Sequence, residues 1–522
     1  MAVAPHALAS QSAVAVLRDG GNAIEAMVAA AATISVAYPH MNGIGGDAFW
    51  LIVPPTGAPV AIDGAGTAGG KATISLYRDA GHERIPMRGP LAMNTVAGAI
   101  GSWDAALGIS KQNGGALSLP RLLRDAIDYA NNGVAVTASQ VASTRAKYAE
   151  LVHQPGFAGR FLPQGRIPET GSLFRQPTLA AFMEGLAVDG LDSFYRGALA
   201  EDIAADFQAV GAPLALQDLN GYRPRTCAPL HLELDVGTAF NMVPPTQGAV
   251  SLAILGMLER AGIREVAPDS ADHVHLCVEA SKQAFVHLRD PYLTDPACMQ
   301  CCPQQLLDRS RLDALAADIA LDSALPWGSV SKTGDTIWMG VIDRDGWAVS
   351  FIQSIYHEFG SGIVLPRTGL NWQNRGASFS LDPAHLLALQ PHKKPFHTLN
   401  PAAARLHDGR TMVYGTMGGD GQPQTQAAVF SRAIWFGQPL QQAVSAPRWL
   451  LGRTWGQSSD TLKLESRMPD AIVAELRQRG HDIEMLGDYD ETVGHAGAII
   501  RHADGVLEGA ADPRSDGSAA GY

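Results

Sequence analysis

Charge is scarce along this chain of 522 residues. Asp, Glu, Lys and Arg together make up 17% of it, and acid prevails over base by a formal −12. That balance argues against nucleic acid or an anionic membrane surface as a partner. Cysteine is scarcer still. The five (Cys227, Cys277, Cys298, Cys301 and Cys302) are an odd number in a long chain, which argues against a disulfide framework. Cys298-Met299-Gln300-Cys301-Cys302 has the spacing of half a zinc knuckle. No second cysteine pair follows, and His273, His275 and His287 fall on an expected helix, so free thiols are the simpler reading and no metal is expected. Long apolar runs are also missing. The longest, Ala26 to Ala37, is interrupted by Thr33 and Ser35 and is too short to span a bilayer. The opening Met1-Ala2-Val3-Ala4-Pro5-His6 lacks the basic start of a signal peptide, so a cytoplasmic location is expected.

What the chain does have is apolar bulk and glycine. Hydrophobic residues at 46% and 55 glycines describe a globular protein with a large core and many tight turns. Pro5 to Arg18 reads as an amphipathic helix ended by Asp19-Gly20-Gly21, and Asn22 caps a second helix through Ala37. Gly43-Ile44-Gly45-Gly46-Asp47 leads into an apolar strand, Ala48 to Val53. Glycines that precede a strand, rather than join strand to helix, are not a dinucleotide fingerprint. Residues 91–220 are expected to be mainly helical. A β segment from Leu230 to Met242 follows, then Pro244-Pro245-Thr246-Gln247-Gly248 introduces a helix from Ala249 to Arg260. Asp269 to Arg289 and 303–320 continue the helical pattern, and no internal repeat is apparent.

The polar stretch Gly328-Ser329-Val330-Ser331-Lys332-Thr333-Gly334-Asp335 has no hydrophobic period and reads as a loop. Thr336 then opens an apolar strand abruptly. A threonine at the first position of a core strand is placed as an N-terminal nucleophile would be. After self-cleavage its own α-amine, with an ordinary pKa near ~8, serves as the base for the neighbouring hydroxyl. The alternative is a threonine that is simply a good β former. Asp345-Gly346 reads as a two-residue hairpin turn between Thr336–Arg344 and Trp347–Ser354. A regular ladder from that turn puts Ile355 opposite Thr336 and Ser354 one step away, so a second hydroxyl comes near the first.

An amide hydrolase also needs an oxyanion site. Thr416-Met417-Gly418-Gly419-Asp420-Gly421 lies between an expected strand (Thr411 to Gly415) and a helix starting near Gln422. Bare N–H groups at such a turn suit an oxyanion, and a plain strand-to-helix turn is the other reading.

Taken together, these segments resemble the γ-glutamyltransferase family. Gly43-Ile44-Gly45-Gly46 stands before a strand, Val243-Pro244-Pro245 before a helix, and Thr336 before Val341-Ile342-Asp343. Gly418-Gly419 follows, and then a tail running from Leu507-Glu508-Gly509 through Asp512-Pro513-Arg514-Ser515 to Gly521-Tyr522. The resemblance implies the α+β fold of N-terminal-nucleophile hydrolases, a four-layer αββα sandwich. It also implies cleavage between Asp335 and Thr336 into a large chain, 1–335, and a small chain, 336–522, which stay associated as one unit. By the same resemblance Thr336 is the nucleophile, Gly418 and Gly419 are the oxyanion glycines, and Ser354 takes the place of a hydroxyl that orients the nucleophile. No cofactor is implied, and a further oligomer is left open.

Departures from the family pattern bear on substrate. The family grips the two charged ends of a γ-glutamyl group with an arginine and an aspartate, and at those positions this chain has Ala65 and Ser378. The paired serines of the pocket become His397-Thr398. Losing both clamps would leave a glutamyl group desolvated without partners. Arg375, next to Asn374, enters the same neighbourhood and could hold a carboxylate through two parallel bonds, or serve only as a structural ion pair. Trp338 and Tyr356 could narrow the pocket, or lie in the core. The stretches Thr336-Ile337-Trp338-Met339-Gly340 and Ser354-Ile355-Tyr356-His357-Glu358-Phe359-Gly360 are similar to a branch of the family that cleaves oxamate to oxalate and ammonia in purine breakdown. The expected activity is therefore that of a self-processing amidohydrolase on a small anionic amide, with Arg375, Asn374, Tyr356, His397 and Thr398 around the substrate. The alternatives are a γ-glutamyltransferase or glutathione hydrolase, and an unprocessed, silent scaffold.

Overall fold

Alternation along the strands sorts the apolar residues into three layers. From Asp335 to Ile342, Trp338 and Ile342 face one core while Ile337, Met339 and Val341 face another. The neighbouring strand Asp47–Val53 divides in the same way, with Phe49, Leu51 and Val53 on the first side and Ala48, Trp50 and Ile52 on the second. A chain with apolar residues on both faces of its strands must cover both, and here it does so with a second sheet and with helices. The protein is seen in a computed structural model that describes residues 1–328, 335–453 and 459–522.

One sheet runs, edge to edge, Ser518–Ala520, Ala2–Ala4, Asp335–Ile342, Ala348–Tyr356, Asp47–Val53, Val60–Gly64 and Arg225–Cys227. The other runs Leu507–Ala511, Ala496–Arg501, Thr411–Thr416, Ala402–Leu406, Gly237–Asn241 and Leu230–Leu234. Between them lies an apolar layer that includes Phe49, Trp338, Ile352, Leu399, Ala403, Val413 and Ile499. The helices Ala7–Arg18, Ala23–Ala37, Ala99–Gln112, Leu119–Asn132 and Pro177–Asp189 cover the outer face of the first sheet. Gly248–Arg260, Ala271–Ala284 and Gly421–Phe430 cover that of the second. The fold is a four-layer αββα sandwich, α+β in class.

Local sequence explains the elements that hold the site. Asn22 caps the Ala23–Ala37 helix through a reciprocal box with Glu25, and every residue of that helix is buried, as its alanine content allows. Trp338 is core, not pocket wall: it is 3% exposed and its indole N–H donates to Ser350 Oγ at 2.9 Å. The two sheets close over it because the residues facing it are glycines. A Cβ at Gly415 would lie 2.2 Å from the Trp338 ring, and one at Gly497 would lie 2.4 Å from it. The tail motif closes the sandwich from the other end. Arg514 pairs with Glu465 and with Asp512 (3.0 Å), and Asp512 pairs with Arg448 (2.6 Å), all buried. The helix expected over Asp269–Arg289 is α-helical from Ala271 to Ala284 and widens into a π turn over Phe285–Arg289. Among the described residues no helix is long and apolar enough to cross a membrane.

Candidate active site

The hairpin that carries Thr336 departs from the expected turn. Asp343 N–H donates to the Trp347 carbonyl at 3.0 Å and Gly346 N–H to the Asp343 carbonyl at 3.2 Å, so the loop is the three residues Arg344-Asp345-Gly346. Gly346 has φ 89°, the left-handed residue that such a loop needs. The ladder is therefore one step from the expected register and pairs Ile337 with Gln353. A bulge between Gln353 and Tyr356 then restores the offset, pairing Asp335 with Tyr356. Ser354 and Ile355 are the two residues set against Thr336. The polar approach at 329–334 lies outside the described residues.

Strand alternation places Thr336 on the face of Trp338, between the sheets. Ser354 shares the face of Ile352, and Asp47, its partner across the next strand, shares that of Phe49. Thr336, Ser354 and Asp47 thus form a row across three strands. Thr336 is fully buried and its hydroxyl donates to the Gln353 carbonyl at 3.2 Å. Ser354 Oγ accepts from the Tyr356 N–H at 2.8 Å, inside the bulge. Glycine makes this approach possible, since a Cβ at Gly46 would lie 2.1 Å from the Ser354 carbonyl oxygen and one at Gly45 would lie 2.3 Å from that of Asn371. The Gly46→Ala variant is expected to push the bulge away from Thr336 and slow both maturation and turnover. A matured, fully active Gly46→Ala enzyme would show that the bulge tolerates the shift.

Tyr356 leaves the strand with φ 81°, a costly conformation for an aromatic residue, and is 1% exposed. The Arg375 guanidinium lies 3.9 Å from its ring centroid. Arg375 sits in the 3₁₀ turn Arg375–Ser378 and is 1% exposed, yet among the described residues it forms no ion pair. Its contacts are two long ones, to the Phe396 carbonyl (3.3 Å) and to Thr398 Oγ1 (3.4 Å). Burial pulls its pKa down to about 10, against the opposing pull of Tyr356, Asp47 and Asp420, and leaves it cationic. Asn374 is engaged with backbone on three sides, receiving the His357 N–H (3.2 Å) and donating to the carbonyls of Met87 (2.8 Å) and Ile355 (3.2 Å).

The glycine turn completes the site. Gly418 and Gly419 have φ of 112° and 53°, and their carbonyls accept from Gly421 and Gln422 as the Gly421–Phe430 helix begins. Neither of their own N–H groups donates to another atom among the described residues. Gln247, from the Pro244–Gly248 motif, ties this turn to the pocket by donating to the carbonyls of Gly419 (2.9 Å) and Thr398 (3.2 Å). Asp420 pairs with the buried Arg289 at 2.8 Å. The structure thus joins Thr336, Ser354, Tyr356, Arg375, Thr398 and the glycines by contacts or strand register. His397 lies among them, its Nε2 3.0 Å from Asp47 Oδ2. Sequence reading quoted Asp47, Gln247 and Asp420 within motifs but gave them no role. Their signal was adjacency to the glycine and proline motifs.

The cysteines Cys298, Cys301 and Cys302 are free and at least partly exposed. Among the described residues the group with metal-ligating reach is His275, Glu279 and His481. Its atoms are already used. His275 Nδ1 meets His481 Nε2 at 2.8 Å, Lys282 Nζ balances Glu279 at 2.8 Å, and the group grips the carbonyl of Ala320 (2.7 Å) and the N–H of Leu325 (2.8 Å). The donor set with its lysine suits an internal anchor better than a divalent cation.

Several imidazoles are held neutral by burial. His40, His273 and His481 are lowered to about 3, and His397 and His495 to about 4. The unfolded chain takes up those protons near pH 6.5 and the folded chain refuses them, so this stability is complete above about 6.5 and is lost as pH falls toward 4. At pH 5 each such group should cost roughly 1–2 kcal/mol relative to pH 7. Urea midpoints at pH 7 and pH 5 test this, and equal midpoints would contradict it.

A family model described as gamma-glutamyltranspeptidase matches residues 9–522. The oxamate amidohydrolase proenzyme of Klebsiella pneumoniae is 61% identical over 523 residues, covering 100% of this chain and 98% of that protein. The glutathione hydrolase-like YwrD proenzyme of Bacillus subtilis is 40% identical over 522 residues, covering 100% and 98%. Among solved structures, cephalosporin acylase from Bacillus halodurans superposes with a TM-score of 0.90 at 33% identity, covering 100% of this chain and 95% of that one. This chain belongs to the γ-glutamyltranspeptidase family and is one of its amide-cleaving proenzymes.

Proposed function

We propose that the chain cleaves itself between Asp335 and Thr336 and then hydrolyses a small anionic amide, oxamate, to oxalate and ammonia. The Thr336 hydroxyl attacks the Asp335 carbonyl, the peptide nitrogen is released as the Thr336 amine, and water hydrolyses the ester to leave the Asp335 carboxylate. Residues 1–335 and 336–522 stay together, because each sheet of the sandwich draws strands from both sides of the cut. In turnover the Thr336 amine takes the hydroxyl proton and Oγ1 attacks the substrate amide. The Gly418 and Gly419 N–H groups hold the oxyanion, Ser354 fixes the strand bulge that faces the nucleophile, the Thr336 ammonium gives its proton to the departing nitrogen, which leaves as ammonia, and water releases the acid from the acyl-enzyme.

The observation that carries the substrate reading is Arg375, a guanidinium buried beside the site that forms no ion pair among the described residues, with Asp47 and Asp420 acting on it only from a distance. A buried cation without a partner is costly unless a ligand supplies the anion. Thr398 and the Tyr356 ring hold it in place, and Asn374 fixes the turn from which it projects. Among the described residues the pocket offers one such cation, which suits one carboxylate, and the missing clamps at Ala65 and Ser378 do not suit a γ-glutamyl group. The relative that acts on oxamate supports the same choice. We place the enzyme in the cytoplasm, where five free thiols are at home, in the removal of oxamate from purine breakdown.

Ammonia release from oxamate, compared with a γ-glutamyl anilide and longer amides, tests the reading. Preference for the anilide would establish the glutathione-hydrolase alternative. A single uncleaved band on a denaturing gel, persisting on incubation, would establish the scaffold.

A further inference from the structure

Asp47 is bonded on three sides through one oxygen. Its Oδ1 accepts from the N–H groups of Gly66 (3.0 Å) and Gly98 (2.9 Å) and from Gln373 Nε2 (3.0 Å). Its other oxygen, Oδ2, faces His397 Nε2 at 3.0 Å with both side chains buried. The His397 ring packs edge-on to Phe49, and the residues on either side of it, Phe396 and Thr398, are the two that Arg375 touches. Neither ring nitrogen completes a well-aligned hydrogen bond among the described residues: Nε2 faces the carboxylate, and Nδ1 is buried. An orphaned buried ring nitrogen next to an unbalanced guanidinium calls for a ligand atom.

We infer that Asp47 sets the tautomer of His397, leaving Nδ1 a bare acceptor that receives the N–H of a primary amide and turns away a second carboxylate. The inference rests on the pocket being the site of a short anionic amide. Burial and the nearby Arg375 keep His397 neutral at working pH, so the ring carries one N–H and one lone pair. The carboxylate charge 3.0 Å from Nε2 favours the proton on that nitrogen, which puts the lone pair on Nδ1. In a two-carbon amide acid, the amide nitrogen and one carboxylate oxygen lie along the same edge. Arg375 can hold the oxygen while Nδ1 accepts from the nitrogen. A dicarboxylate of the same size presents an oxygen lone pair to Nδ1 instead and is repelled. Asp47 and His397 thereby favour the substrate over its own product.

The Asp47→Asn variant tests this because its orientation is forced. Three donors around Oδ1 hold the amide oxygen in place, so the new NH₂ faces His397 Nε2 and drives the ring proton to Nδ1. The variant is expected to raise the KM for oxamate about tenfold and to tighten inhibition by oxalate about tenfold, inverting the ratio of the two constants. The His397→Phe variant, a ring without either nitrogen, is expected to lose the discrimination while keeping carboxylate binding through Arg375, and it decides the matter where Asp47→Asn does not mature. A matured variant whose oxamate-to-oxalate ratio stays within about twofold of wild type, or in which both constants weaken together, would overturn the inference alone. Wild-type enzyme that neither binds nor cleaves oxamate would remove the substrate reading, and this inference with it.

Discussion

Thr336→Ala leaves the protein as one chain of 522 residues, folded and inactive. The variant removes the hydroxyl proposed to attack the Asp335 carbonyl, so the scissile bond is expected to persist on a denaturing gel where wild type should resolve into two bands. Ammonia release should fall to background, a loss on the order of 10⁴ or more. The effect has two sources that reinforce each other. Without cleavage there is no free α-amine to act as base, and without the hydroxyl there is no nucleophile. Folding should be spared, because the strand pairs through its backbone, which the variant leaves intact. Thr336→Ser separates the two requirements by keeping a hydroxyl, so slow cleavage and partial activity are expected. Two bands from Thr336→Ala, with mass spectrometry showing a different new N-terminus, would mean that the scissile bond lies elsewhere.

Arg375→Met is expected to have the next largest effect, and its two readouts move in opposite directions. Losing a bidentate, charge-assisted grip on the substrate carboxylate should lower kcat/KM for oxamate about 100-fold or more, at roughly 1.5–3 kcal/mol per bond to a charged group. Neutral amides of similar size should lose much less. Stability, by contrast, should hold or rise, because the variant removes a buried charge that no acid in the described structure balances. A purely structural arginine predicts the reverse: a clear drop in the thermal midpoint with the ratio of anionic to neutral substrates unchanged. Self-cleavage should be normal, since Thr336 and the glycine turn do not depend on Arg375 for their contacts.

Legibility in the sequence tracked how local the physics is. The Asn22 cap, the glycine-led strand at Asp47 and the abrupt opening of an apolar strand at Thr336 are set by neighbours a few residues away, and each appears in the structure within a residue or so. The hairpin was half legible. Asp345-Gly346 marked the turn, but whether two or three residues form it depends on a single hydrogen bond, Asp343 to Trp347, which composition does not reveal. Trp338 shows the opposite limit. Two residues from Thr336 it could have been pocket or core, and Gly340, Gly415 and Gly497, which face it from two sheets, decide for core.

The order of chemical groups along the chain was enough, by itself, to point to a buried nucleophile, a bare glycine turn and the loss of two charged clamps, because each depends on what a residue type can or cannot do. Tertiary structure decided what those groups face. Arg375 lies beside Tyr356 and Thr398 with no ion-pair partner among the described residues, and Asp47 touches His397 across more than three hundred residues of chain. Such pairings arise from sheet register and layer packing, and those follow from the summed burial of distant apolar faces rather than from any local sequence signal.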